Sequence, residues 1–170
     1  PHHERTRFAR GKLERRWQWH FVEHHLSHEA SAFLAAPFEE SAVLTLEGRG
    51  DLATTSYGHF RGDSYERLGQ VEVPHSLGLL YEQVTAYLGF LNSSDEYKVM
   101  ALASYGTPVH APFFRNLIHL KDDGTYTVDR LDLAEAFGPA RERGATLEKR
   151  YFDIARSLLV VLELTRLLRT

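Results

Sequence analysis

The sequence predicts an α/β body in which helices pack on a sheet. Three observations predict it. Short apolar or alternating runs crowd the first half, with "SAVLTL" (41–46) the clearest buried strand. Apolar residues recur at helical spacing in the second half, as in "LGLLYEQVTAYL" (77–88). No repeat or low-complexity segment breaks this pattern, and 170 residues suit one domain or one large piece of a bigger one.

Taken in order, Phe8–Arg16 predicts a basic helix. Trp17–Glu23, "WQWHFVE", is rich in aromatic and β-branched residues and predicts a strand. Leu26–Ala36 predicts a helix capped by Ser27 and closed by Pro37. Ser41–Leu46 follows as a strand and ends in "EGRGD", a predicted glycine-rich turn. Ala53–Phe60 and Tyr65–Val73 predict antiparallel strands joined through "RGDS". Pro74 ends that sheet region, and Pro74–Tyr81 has the glycine and aromatic residues of a tight helix–sheet contact. Leu77–Leu88 and Glu96–Ser104 predict helices, the second closed by Gly106. Pro108–Phe114 predicts a loop, and "KDDGTY" within Ile118–Leu131 a hairpin. Thr146–Arg169 predicts one long helix. Its stripe of Tyr151, Ile154, Leu158, Val161, Leu162 and Leu168 calls for burial against another element.

The composition, 43% hydrophobic and 25% charged, is that of an ordinary globular protein. A net charge of -3 makes no global case for nucleic acid or an anionic membrane as a partner. The basic stretch Pro1–Arg16 reads as a solvated face. No apolar run is long enough to span a bilayer, and no signal-peptide pattern is present. The lack of cysteine excludes disulfides, thiolate nucleophiles and Cys-based metal sites, and it fits a cytoplasmic location. Pro1 stands first and "LLVVLELTRLLRT" breaks off inside a helical pattern, so truncation is expected at both ends.

The chemistry concentrates in "EHHLSHEASAFLAA" (23–36). His24 and His28 are four residues apart, so a helical backbone puts both imidazoles on one face, close enough to share a metal ion. His25 then points elsewhere, toward core or solvent. Glu47, at the end of the predicted strand, is the nearest carboxylate candidate in sequence to complete the shell. A His pair at this spacing is also a common hydrogen-bonded feature of a surface or core. Ligation needs neutral imidazole, so metal affinity is expected to fall below about pH 6. Gly48 and Gly50 would let backbone N–H groups approach an anion, although turn geometry explains most such glycine pairs. Lys98 is either a phosphate contact or a solvated helix lysine.

Three segments, "HHLSHEASAFLAAPFEESAVLTLEGRGDLATTSYG", "VPHSLGLLYEQVTAYLGF" and "DEYKVMALASYG", closely resemble the carbamoyltransferase family of nodulation and antibiotic O-carbamoyltransferases. Order and spacing match from about Phe21 to Gly106, and the remainder more loosely. The resemblance implies that residues 1–170 are part of the family's amino-terminal, metal- and nucleotide-binding domain. It implies a partial actin, sugar kinase and Hsp70-like fold with a mixed sheet. It further implies ATP and carbamoyl phosphate as substrates, a carbamoyl-adenylate intermediate, and transfer to the hydroxyl of a small-molecule acceptor at a divalent metal, usually iron. The remaining part of the enzyme would be a partner. The metal-binding histidines of the family pattern fall on His24 and His28, its strand-end aspartate on Glu47, and its phosphate-side glycines on Gly48 and Gly50. No counterpart of the family's catalytic histidine precedes Phe21. Glu47 is one methylene longer than the family's aspartate. That displaces the oxygens by about 1.5 Å, where binding sites tolerate about 0.5 Å.

Two other readings compete. The chain could be a catalytically inactive relative that keeps only the fold, motivated by Glu47 and the missing ends. It could also be a tRNA threonylcarbamoyl-transfer protein, since that family shares paired histidines. The acidic net charge and "EYKVMALASYG" count against the second.

Overall fold

A computed structural model describes residues 18–167, with side chains described through Glu163. The predicted helix at Phe8–Arg16 lies outside the described residues. The architecture is mixed α/β with antiparallel sheets and packed helices. The expected mixed sheet is antiparallel throughout its described strands.

Helix α1, His24–Leu34, leads into a three-stranded sheet of β1 (Glu40–Gly50), β2 (Ala53–Arg61) and β3 (Ser64–Glu72). The strand order is β1-β2-β3, so β2 is central. Its sequence Thr54-Thr55-Ser56 is fully buried, which hydroxyl side chains tolerate only when hydrogen-bonded. Each is. Thr54 Oγ1 donates to the His75 carbonyl at 2.6 Å, Thr55 Oγ1 meets the Tyr126 hydroxyl at 2.7 Å, and Ser56 Oγ donates to Glu29 at 2.5 Å. Three successive residues thus tie the central strand to three other parts of the chain. Phe33 stacks on Phe60 with ring centroids 4.6 Å apart, which locks α1 to the sheet and contributes about 1 kcal/mol beyond area burial.

After β3 come α2 (Leu77–Tyr87), α3 (Glu96–Ala103) and the short α4 (Ala111–Asn116). A two-stranded hairpin of β4 (Ile118–Leu120) and β5 (Tyr126–Val128), α5 (Leu133–Phe137) and the long α6 (Lys149–Leu167) complete the chain. The helices form the main core around Leu80, Val84, Leu88, Val99, Phe114, Ile154 and Leu158, all essentially inaccessible to solvent. The α6 stripe finds its partners in α3 and α4. Tyr151, Ile154, Leu158 and Val161 are buried and Leu162 half-buried, while Leu168 lies outside the described residues. Asp153 on α6 accepts from the Thr107 backbone N–H at 2.8 Å and from Lys149 at 2.5 Å, which ties the loop before α4 to that helix. Among the described residues, no helix is long and apolar enough to cross a membrane.

Several local expectations change. Residues 18–23 form no strand; they run irregularly with Phe21 and Val22 exposed. Aromatic and β-branched content favours a strand only where a pleated, half-buried surface exists to receive it. Helix α1 starts two residues earlier than expected, and Ser27 does not cap it. Its hydroxyl donates back to the Glu23 carbonyl at 2.9 Å from inside the first turn. Gly48 and Gly50 belong to β1, not to a turn, and the turn shrinks to Asp51–Leu52 with Asp51 at φ 50°. The predicted loop at Pro108–Phe114 contains the start of α4, whose first turn accepts Pro112 at no hydrogen-bond cost. The unpredicted α5 is a single turn capped by Asp132, which accepts from Glu135 N–H at 2.9 Å.

Candidate metal centre

Helix α1 divides its faces by the helical period. His25, Glu29 and Phe33, four residues apart, are buried against the sheet. His24 and His28 lie on an adjoining face, their ring centroids 4.8 Å and their Nε2 atoms 3.0 Å apart. Glu47 reaches them from β1. Its Oε2 lies 2.9 Å from His24 Nε2, and its Oε1 lies 3.0 Å from His28 Nε2. One ligand atom from each of the three residues falls within 4.8 Å of the other two.

Backbone irregularity aims Glu47. The β1–β2 register runs evenly to Leu46–Thr55 and then jumps to Gly50–Ala53, so Glu47, Gly48 and Arg49 bulge out of the ladder. Ser76 holds this bulge, donating to the Gly48 carbonyl at 2.8 Å while capping α2 through Leu79 N–H at 3.0 Å. Gly78 completes the contact. A Cβ there would sit 2.5 Å from Gly48 N and 2.6 Å from Glu47 O, which confirms the tight helix–sheet approach expected of Pro74–Tyr81. Gly50 is bare for the sake of the cluster: a Cβ would meet His24 Cδ2 at 2.5 Å, Glu47 Oε2 at 2.7 Å and His25 Cδ2 at 2.9 Å. Close approach, not a left-handed backbone, requires glycine at 50, whereas at 48 the nearest atom is the flexible end of Glu82.

The donor set fits a divalent cation. Glu47 Oε2 is buried and accepts no hydrogen bond, although imidazole nitrogens crowd it. These atoms approach without donor–acceptor alignment. Ligands about 2.1 Å from one ion and at right angles lie about 3.0 Å apart, the spacing seen here. Two imidazoles and a carboxylate suit iron, zinc or manganese. The Glu47 carboxylate spans both rings, with one oxygen to each.

Behind the cluster lies a buried polar chain that sequence reasoning missed. His25 Nδ1 is 2.7 Å from Ser56 Oγ, Ser56 donates to Glu29 Oε1, and Glu29 Oε2 lies 3.9 Å from Arg67. Burial lowers the His25 pKa against the opposing pull of Glu47 and Glu29. Burial, assisted by Glu29, pushes the nearby Tyr65 hydroxyl up to about 12. Arg67 also pairs with Glu23, which raises its pKa further. The helical spacing 25/29/33 was the available signal, obscured because two of its three members are ionisable.

Glu47 separates two clefts. One, of about 600 Å³, runs along α1 and β1 from His28 to Phe38. The other, of about 530 Å³, is lined by Gly48, Gly78, Tyr81, Glu82 and Glu96. Gly48 therefore faces a cleft with an acidic lining, where a phosphate would need a cation beside it. Gly50 lies against the histidines. Lys98 is not brought to the cluster: on α3 it pairs with Asp95 at 2.8 Å, an interaction that lowers the Asp95 pKa and raises its own.

Comparison with known proteins agrees with the signature. Residues 5–160 match the carbamoyltransferase N-terminus family. The chain belongs to the carbamoyltransferase family. An uncharacterized protein of Synechocystis sp. is 42% identical over 158 residues, covering 84% of this chain and 26% of that protein. The nodulation protein NolNO of Sinorhizobium fredii is 37% identical over 151 residues, covering 84% of this chain and 22% of its own length. The nodulation protein NolO of Bradyrhizobium diazoefficiens is 33% identical over 150 residues, covering 84% and 26%. The chain thus spans about a quarter of the length of these relatives. The carbamoyltransferase match includes His24, His28 and Glu47 and every described element up to the greater part of α6.

Proposed function

We propose that this chain is part of an ATP-dependent O-carbamoyltransferase that passes a carbamoyl group from a carbamoyl-adenylate to the hydroxyl of a small-molecule acceptor. Its fold is read as part of an actin, sugar kinase and Hsp70-like domain. The observation that carries the proposal is the convergence of His24, His28 and Glu47 within 4.8 Å, in a chain of this family.

His24 and His28 would bind a divalent ion, iron by family likeness, through Nε2, and Glu47 would bind it through its carboxylate. When bound, the ion would supply Lewis-acid polarisation of the carbamoyl carbonyl. The side chains of His24 and His28 are about half exposed, so an ion or substrate reaches them from solvent. Gly50 leaves room for both the imidazole and the carboxylate. Ser76 and Gly78 keep the Glu47 backbone from shifting as ligands exchange. Gly48 offers backbone beside the second cleft, where the nucleotide phosphates would approach.

Titration calorimetry of the full-length protein with ferrous, zinc and manganese ions tests the site. Binding is expected in the wild type and lost in the His24→Ala/His28→Ala double variant. Equal binding by both removes the assignment. Carbamoyl transfer from carbamoyl phosphate and ATP to a hydroxyl acceptor, abolished in the same variant, separates this reading from an inactive relative.

A further inference from the structure

We propose that the outer edge of β1 is a docking edge for one further β-strand, an apolar segment of the same polypeptide outside residues 1–170, which pairs with Ala42, Leu44 and Leu46 in the groove beside α1. The proposal is independent of the metal reading above and holds whether or not that site takes an ion.

The register shows which backbone groups are left over. Gly62 N–H donates to the Glu39 carbonyl at 2.9 Å, one step before the β1–β2 ladder begins. Residues 39 and 62 are thus a hydrogen-bonded pair. Such pairs alternate along an antiparallel ladder, so Ser41–Phe60, Val43–Gly58 and Thr45–Ser56 are hydrogen-bonded pairs too. Ala42, Leu44 and Leu46 take the intervening positions, with N–H and C=O turned away from β2. β1 is the edge of its sheet, and among the described residues no strand lies beyond it.

That edge carries none of the devices that keep a solvent-facing edge from pairing. From Ser41 to Leu46 it has no charge, no proline and no bulge. Residues 41–47 line the groove of about 600 Å³ without a gap, odd and even alike, so the groove follows the strand's edge and not one face. Thr45 pairs with Ser56, which meets α1, so Leu44 and Leu46 point to the opposite face, where both are exposed. On the α1 side the groove is walled by Ala32, Ala36 and Phe38. A strand laid here would alternate its side chains between those two apolar sets. The complementary segment is therefore a continuous apolar run, the pattern of a strand covered on both faces.

The same polypeptide is the fitting source of that strand. The chain spans about a quarter of the length of its relatives, so most of a full-length protein of this family lies outside it. A tethered segment meets the edge at an effective concentration that a second copy does not reach at ordinary protein concentrations.

Residue-resolved hydrogen exchange on the full-length protein tests the proposal. The amides of Ala42, Leu44 and Leu46 should exchange at least about 100-fold more slowly than unstructured amides, as those of Val43 and Thr45 do. Fast exchange at 42, 44 and 46 beside slow exchange at 43 and 45 overturns the proposal, and that measurement needs no variant to fold. Leu44→Pro removes an N–H that the β1–β2 ladder does not use, so it should release the protection of Ala42 and Leu46. Unchanged protection of those two amides in a folded variant also overturns it. A photo-reactive residue in place of Leu44 should cross-link within one polypeptide, to a peptide outside residues 1–170. Cross-links to another copy, or protection lost on dilution, would identify a second copy as the occupant and overturn the proposal.

Discussion

Gly78 lies so close to Glu47 that a single added carbon would stand 2.6 Å from the Glu47 carbonyl oxygen and 2.5 Å from the next backbone nitrogen. Both atoms are backbone, so neither can rotate away. Gly78→Ala is expected to push α2 off the β1 bulge and carry Glu47 with it. Overpacking of this kind costs about 1–3 kcal/mol, which urea unfolding reads directly. Zinc affinity should fall in the same variant. A stability loss with unchanged zinc binding would show that the bulge does not set the carboxylate's position.

Shortening Glu47 to the aspartate of the family pattern is expected to weaken the site, not repair it. In Glu47→Asp the oxygens retreat by about 1.5 Å from histidine nitrogens that they now approach to 2.9 and 3.0 Å. We expect zinc or ferrous affinity to drop at least about tenfold by titration calorimetry. Tighter binding by the aspartate variant would mark Glu47 as a degenerate residue and favour an inactive relative.

How much of this was legible depended on the range of the interaction. The histidine pair and the β2–β3 hairpin could be read because four-residue spacing and the "RGDS" turn are local. The Ser27 cap was misread because a serine in a first turn can bond backward as easily as forward. The Ser56–His25 contact joins residues 31 apart and depends on sheet register, which local patterns do not encode. The reach of Glu47 depends on a bulge held by Ser76, and no periodicity announces a bulge. Single-turn α5 had only its Asp132–Glu135 cap as a signal, too short for a periodic pattern.

The two glycines of "EGRG" should respond differently to alanine. At Gly50 the new methyl would strike His24, Glu47 and His25 together, all held by the cluster. At Gly48 the nearest obstacle is the far end of Glu82, 2.7 Å away on a flexible side chain. Gly50→Ala is expected to lose about tenfold or more in metal affinity, and Gly48→Ala to stay near wild type. Circular dichroism melts would establish that both remain folded. Equal losses would argue that conformational freedom, and not space beside the histidines, requires glycine there.

Asp153 should govern part of the acid sensitivity of the helical core. Hydrogen bonding to Lys149, with further help from the Thr107 backbone N–H, holds its carboxyl below the usual 3.8. A depressed folded value means that the unfolded chain takes up the proton first. The stabilisation is therefore complete above the unfolded pKa and disappears as pH falls through the lower, folded one. Asp153→Asn keeps the shape and removes the charge, so it should cost about 2 kcal/mol in urea unfolding at pH 7. The gap between variant and wild type should narrow as the pH drops below 3.8. A gap that stays constant down to pH values well below that point would mean that the asparagine is felt through lost hydrogen-bond geometry, with the ion pair to Lys149 contributing nothing.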